Sequence, residues 1–258
     1  MEEKIRLGGM ALRNGVLVHG PTSWACAVRL PDGSLKVAAE HKRLIANRIQ
    51  NPFLRGPARL AEAVAVLPAL KRRLPEAQLP FEQPWIIAAM AASATCVRFV
   101  RASRLTPAAQ ELAAGLLALA PALYSLRGNE LAAYHGAEHI SIGSYEHDEP
   151  RAREHERCGS HLIGPLLATS AAANVVTAGV PVRYRGPARA AASVGALAAA
   201  TELFGWMVRN PERKLARALA KPGHELQHRY ATREPTPEQV EVAEAALRAC
   251  LELESESA

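Results

Sequence analysis

Five of the nine histidines fall within one short window: His135, His139, His147, His155 and His161. Cys158 lies in the same window. The string His135-Gly136-Ala137-Glu138-His139 sets two imidazoles four residues apart, so on a helix both rings share a face and can reach one ion. Neutral imidazole suits zinc and related divalent transition metals. Glu138 stands beside them, placed to act as general base on water activated by such an ion. The pattern H-x-x-E-H is the inverted form of the zinc-protease motif. Downstream, His155-Glu156-Arg157-Cys158 offers an imidazole and a thiol three residues apart. The two pairs together resemble the spacing of structural zinc sites. Four ligands (His135, His139, His155 and Cys158) would close a tetrahedron, whereas three would leave a position open for substrate. Spacing does not choose between these. Glu146, Glu154 and Glu202 are further candidate oxygen ligands, and Glu202 is the one charge in its apolar stretch, where it needs a partner. A plainer reading stands beside the metal: short H-x-x-E-H strings arise by chance, and it is the H-x-x-C unit that favours an ion. His147, His161, His224 and His228 read as surface or packing residues. Cys26, Cys96 and Cys250 read as small buried apolar side chains.

The elements that must position these residues are mostly helical. Residues 1–50 form a glycine-rich β region. Val16-Leu17-Val18 reads as a strand, Gly20-Pro21 as a turn and Trp24 to Leu30 as an apolar strand. Pro31-Asp32-Gly33 is a hairpin turn, and Leu35 to Ala39 returns. Gly8, Gly9, Gly15 and Gly20 suggest a turn-rich start and match no phosphate-loop spacing. Residues 51–258 read as a helical domain holding the His/Cys segment 134–161. Asn51-Pro52 opens a helix to about Leu74, with apolar residues at 60, 63, 64, 67 and 70. Four apolar stretches follow, at 84–97, 112–126, 162–182 and 190–208. A spanning helix wants ~20 apolar residues, and only the third stretch meets that outright. Sequence physics alone leaves buried soluble helices and membrane helices both open. Thr236-Pro237-Glu238-Gln239 starts an amphipathic C-terminal helix, 236–253, by the capping-box pattern with proline at its first position. The acidic tail from Glu252 onward is expected to fray.

Composition fits this outline. Of 258 residues, 49% are hydrophobic and 22% charged, which excludes wholesale disorder, collagen-like and low-complexity classes. Alanine accounts for 51 residues against 12 aromatics, so a helical protein with a thin core is expected. The expected fold class is mainly α with a small N-terminal β-hairpin region (α+β), an alanine-rich helical bundle. The net charge of +6 is diffuse. It forms no basic stripe interleaved with aromatics, so nucleic acid is not an expected partner. Lys71-Arg72-Arg73 and Arg183, Arg185 and Arg189 flank apolar stretches, as solvated helix ends or as juxtamembrane charge facing the cytoplasm. Four widely spaced cysteines and a polar beginning indicate reduced thiols in a cytosolic setting.

These residues resemble the YqhQ-type family, a bacterial group (domain of unknown function 1385) described as predicted metal-dependent enzymes. Tyr134 to His139 matches the family's Y-H-G-A-E-H. His155 with Arg157-Cys158-Gly159 resembles H-P-R-C-G. Gly8-Gly9 with Asn14-Gly15-Val16 and Gly20-Pro21 resembles its opening motif, and Trp24 to Arg29 with Pro31-Asp32-Gly33 its first hairpin. Pro52-Phe53-Leu54-Arg55-Gly56 with Glu62, Thr201-Glu202-Leu203, Gln227 and Thr232-Arg233-Glu234-Pro235 resemble further blocks. The chain departs from the family at Met10, Asn14, Ile140 and Glu156, and none of these is a proposed ligand.

The resemblance implies a multi-pass membrane protein with the histidine segment between two helical pairs. Four spans would put the N-terminus, the histidine segment and the C-terminus on one side, the cytoplasmic one by the basic loops. The expected function is a membrane-associated zinc (or other divalent transition metal) enzyme, a hydrolase by analogy with the motif. His135, His139, His155 and Cys158 would hold the metal, Glu138 would be catalytic, and Tyr134 or Arg157 would steady negative charge. Membrane lipid is the expected partner, and the substrate and protein partners are unknown. The alternatives are a non-catalytic membrane scaffold or assembly factor with a structural zinc site, and a cytoplasmic alanine-rich protein without metal.

Overall fold

A computed structural model describes residues 4–43, 46–126 and 130–256. The chain starts with four strands, β1 (Gly8–Leu12), β2 (Gly15–His19), β3 (Ser23–Arg29) and β4 (Leu35–His41), paired in chain order as an antiparallel meander. The strands read from the sequence are all present, and Gly33 takes the left-handed φ of +84° that its hairpin turn requires. The glycine-led β1, in the sequence no more than a turn-rich start, pairs fully with β2, from Gly8 opposite His19 to Leu12 opposite Gly15.

Eight α-helices follow among the described residues: α1 (Pro52–Arg73), α2 (Pro84–Ala102), α3 (Pro107–Ser125), α4 (Glu130–His147), α5 (Ile163–Ala178), α6 (Arg185–Arg209), α7 (Lys214–Leu226) and α8 (Pro237–Glu256). The fold is therefore α+β and mainly helical. Both faces of the sheet are covered. Val16, Val18, Ala25 and Ala27 face α4 and α8, where they meet Leu131, Tyr134, Val242, Ala243 and Ala246. Leu17, Trp24, Cys26 and Val28 face the other way onto Val66, Leu70 and Leu74 at the end of α1. Cover on both faces explains why β3 is a continuous apolar run rather than an alternating one.

Helix α1 begins where expected, with the Asn51 side chain accepting from Phe53 N at 2.9 Å. Its buried positions meet the apolar pattern at Leu70 and depart from it elsewhere. Glu62, Val66 and Leu70 are buried, while Leu60 and Val64 are exposed. The reason is electrostatic. Buried Lys42 donates to Glu62, to Gly20 O at 2.5 Å and to His19 Nδ1 at 3.2 Å, and Ala46 N donates to Glu62. Such a network fixes the rotation of α1 more firmly than its apolar pattern.

Helices α2 with α3 and α5 with α6 pack as two hairpins, and α3 also touches α5. Among the described residues three helices are long and apolar enough to cross a membrane: α2, α5 with the turn before it, and α6. The number rises to four if α3 and α4 are taken as one span bent by 95°. Large apolar side chains such as Ile87, Met90, Phe99, Val175 and Val176 point outward from these helices. Cys96 of α2 shares that outward face and is exposed, whereas Cys26 and Cys250 are buried as expected. Helix α4 lies instead against the sheet and α8. In α6, Glu202 meets the Arg55 guanidinium of α1 through both oxygens, which supplies the partner that an acid in an apolar helix needs.

Helix α8 starts as expected. Thr236 N donates to Gln239 Oε1 at 2.9 Å, and Gln239 N donates to Thr236 Oγ1 at 3.4 Å. The fraying expected from Glu252 onward does not occur up to Glu256, where the helix is still intact, and Ser257 and Ala258 lie outside the described residues. Glu254 is buried and accepts from Thr22 N at 2.8 Å, Ser23 N at 2.6 Å and Thr22 Oγ1 at 2.9 Å. The acid that looks like a solvated tail clamps the β2–β3 turn.

Removing one member of the buried Lys42–Glu62 pair strands the other. Glu62→Leu should cost about 3–5 kcal/mol, and Lys42→Met combined with Glu62→Leu should recover a large part of that. Unfolding midpoints of the native protein and both variants in detergent measure it.

Candidate metal centre

Helix α4 carries His135, Glu138 and His139 on neighbouring positions of its buried side. The loop after it, 148–158, folds back so that Cys158 faces the helix. His135, His139 and Cys158 each supply one donor atom, and these atoms all lie within 4.8 Å of one another. His135 Nε2 is 3.6 Å from Cys158 Sγ. Tetrahedral bonds of ~2.1 Å to nitrogen and ~2.3 Å to sulfur would set them ~3.6 Å apart.

Backbone carbonyls fix both tautomers. His135 Nδ1 donates to Ala231 O at 2.8 Å, and His139 Nδ1 donates to Arg153 O at 2.6 Å. A carbonyl only accepts, so each ring proton sits on Nδ1 and each Nε2 keeps its lone pair. Metal-ligating histidines are oriented by this kind of outer contact. His139 Nε2 is buried and has no hydrogen-bond partner among the described residues. Burial also drives the His139 imidazole far below its usual range, helped by His135 close by, so the ring is neutral. A buried lone pair beside a second imidazole and a thiol fits a divalent transition ion.

Burial raises the Cys158 thiol above its ordinary value. In the free protein the thiol therefore keeps its proton and donates toward His135 Nε2. A cation reverses that balance by stabilising the thiolate.

Glu138 is buried, with Oε2 unpartnered among the described residues. Burial pushes its carboxyl up to about 8, partly offset by His135. It lies against β1. A methyl group at Gly9 would overlap Glu138 Oε1, so the glycine leaves the room that the carboxyl occupies. Gly136 plays the matching part on the other side of α4, where a methyl group would overlap Arg233 O. That close approach brings the 231–235 strap onto the helix, with Arg233 N donating to Ala132 O at 2.9 Å, and so delivers the carbonyl that holds His135.

His155 stays outside the three-donor group. Its Nε2 lies 3.1 Å from Glu146 Oε2, and Glu146 also pairs with Arg157. Its ring centroid is still only 5.5 Å from that of His139. Glu154 pairs with His228 at 3.1 Å, and Glu202 with Arg55, so neither joins the centre. Tyr134 packs into the core between sheet and helices, which removes it from the expected charge-steadying role. His147 bonds back to Gly143 O in its own helix at 3.0 Å.

Spacing does not single out Gln227, although the family resemblance touches it. It is fully buried in a five-residue π-helical turn, Gln227–Ala231. Its Oε1 accepts from His155 N at 2.9 Å, and its Nε2 donates to Ser160 Oγ at 2.7 Å and His155 O at 3.1 Å. One amide thus staples both ends of the His155–Ser160 segment that presents Cys158.

Residues 129–253 match the family model described as Protein of unknown function (DUF1385). The DUF1385 region takes in α4, the loop with His155 and Cys158, α5 to α7 and most of α8, and leaves the sheet outside. The description states no activity. No curated protein and no solved structure matches the chain.

Because the Cys158 proton must leave for an ion to bind, zinc affinity should rise with pH, by up to about tenfold per unit near neutrality. Titration calorimetry in buffers of different ionisation heat should show proton release that falls by one proton in Cys158→Ala.

Proposed function

We propose that this chain is a membrane-associated metalloprotein that holds zinc, or another divalent transition ion, through His135, His139 and Cys158, and that it is a hydrolase. The observation that carries this reading is the convergence of three donor atoms within 4.8 Å, with both imidazole tautomers already set by backbone carbonyls. Three protein ligands leave a fourth position open, the arrangement of catalytic rather than structural zinc. When bound, the ion would act as a Lewis acid and bring the pKa of a water at that position toward ~7.

The chain's own residues do the rest. Glu138 would take and return a proton through Oε2, which has no partner among the described residues, once a bound cation favours the ionised form that burial disfavours. Gly9 holds open the space in which that carboxyl sits. His135 and His139 stay neutral and oriented, and Gln227 keeps Cys158 in place. Arg157, expected to steady negative charge, is already paired with Glu146. The hydrolytic class comes from the H-x-x-E-H pattern and is an analogy of motif.

A second reading rests on His155. Its ring lies next to that of His139, and turned away from Glu146 it could supply a fourth ligand. The site would then be a closed staple in a membrane scaffold. On either reading the two apolar hairpins, α2 with α3 and α5 with α6, cross the membrane, four passages that return the sheet, the metal centre and α8 to one side, the cytoplasmic one.

Purified protein should contain stoichiometric zinc by elemental analysis, and His135→Ala should contain none. Glu138→Gln should keep its zinc and lose about 10²–10⁴-fold in turnover of the amide or ester substrates that the native protein cleaves. Unchanged function in that variant would leave only the staple. For the membrane, the protein should remain in the pellet after an alkaline carbonate wash; recovery in the supernatant defeats the crossing.

A further inference from the structure

A cavity of about 520 Å³ lies between the end of α6, helix α7 and the segment from Glu146 to His161. His155 lines it, so a single side chain separates the cavity from His139 of the metal centre. Its walls are of two kinds. Phe204, Met207, Val208 and Pro211 at the end of α6 make an apolar side, continued by Ala216 and Ala220 of α7. The opposite side is polar and carries both signs of charge.

Those charges are already engaged. Arg157 pairs with Glu146, Arg151 with Glu149 at 3.1 Å, and Glu154 with His228 at 3.1 Å. Arg217 faces Glu212 at 4.0 Å. Arg151 and Arg157 each have a carboxylate partner and Arg217 is turned largely to solvent, so the chamber suits a polar end that is uncharged. Size narrows the occupant further. One turn of a helix 10 Å wide and 5.4 Å long fills ~420 Å³, so little more than a single turn fits, whereas a single apolar chain fits well. The apolar wall is the last part of α6, a helix long and apolar enough to cross a membrane. On that reading the chamber sits at the membrane surface.

We infer that this cavity admits one acyl chain of a membrane lipid, its apolar length against Phe204, Met207 and Val208 and its ester end toward His155 and the metal centre. The inference rests on the proposed membrane crossing by α6, and it names a lipid ester as the substrate class of the proposed hydrolase.

The test uses the whole protein in phosphatidylcholine nanodiscs, with a photoreactive diazirine midway along one acyl chain. After photolysis, peptide mapping should find label on Phe204 or Met207. Ile87 and Met90 are exposed on α2 and report the ordinary lipid boundary. Ala220→Trp fills the chamber and should remove the label from Phe204 and Met207 while Ile87 and Met90 keep theirs. Val208→Trp should do the same and covers the case in which α7 does not tolerate tryptophan. Label on Met207 that survives both substitutions, or label on Met90 with none on Met207, overturns the inference. Zinc measured on the same samples separates the two readings. A labelled cavity in protein without zinc supports the lipid inference and counts against the metal, and zinc without a labelled cavity does the reverse.

Discussion

Two backbone carbonyls from distant parts of the chain decide what the histidine pair is able to do. Arg153 O and Ala231 O each take an Nδ1 proton, and that leaves two Nε2 lone pairs facing the same buried space as a thiol. A histidine ring free to turn would satisfy itself elsewhere. These two are unable to, because the proton on the far nitrogen is already committed. The rest of the local architecture serves those contacts. Gly136 lets the 231–235 strap touch α4, and Gln227 ties the strap's neighbour to the loop that carries Cys158. In physical terms the centre is a low-dielectric pocket of lone pairs lacking a positive partner.

The sheet contributes more than cover for the core. β1 approaches α4 so closely at Gly9 that it sets the position of the Glu138 carboxyl. Ionic contacts then join the sheet half to the apolar helices. Lys42 with Glu62 turns α1 onto the sheet, and Arg55 with Glu202 holds the other end of α1 to α6. Lys42 with Glu62 is buried and has further donors, whereas Arg55 with Glu202 is half-exposed and relies on its bidentate geometry.

Much of this was legible in the sequence. The hairpin turn at Gly33, the caps at Asn51 and Thr236 and the apolar stretches mark their elements because local chemistry alone sets them. The pairing of His135 with His139 was legible for the same reason, since helical periodicity is short-range. Cys158 was legible by residue type and proximity in sequence. What was not legible depends on long-range packing. Glu254 reads as part of a solvated acidic tail until the β2–β3 turn is seen to present three donors to it. The buried face of α1 follows Lys42, a residue outside the helix. The exclusion of His155 from the donor group depends on Glu146 and Arg157, and the approach of Ala231 leaves no mark in the spacing of the histidines at all.

The clamp between Glu254 and the β2–β3 turn has a bearing on biogenesis. Ribosomes deliver the strands before the apolar hairpins and α8 after them. During elongation one face of the meander therefore stays bare, and Ala231 arrives after both hairpins. A nascent polypeptide consequently holds His135 without its orienting carbonyl until both hairpins have been made, whereas the carbonyl for His139 arrives before the second hairpin, so the three-donor group is completed only after both.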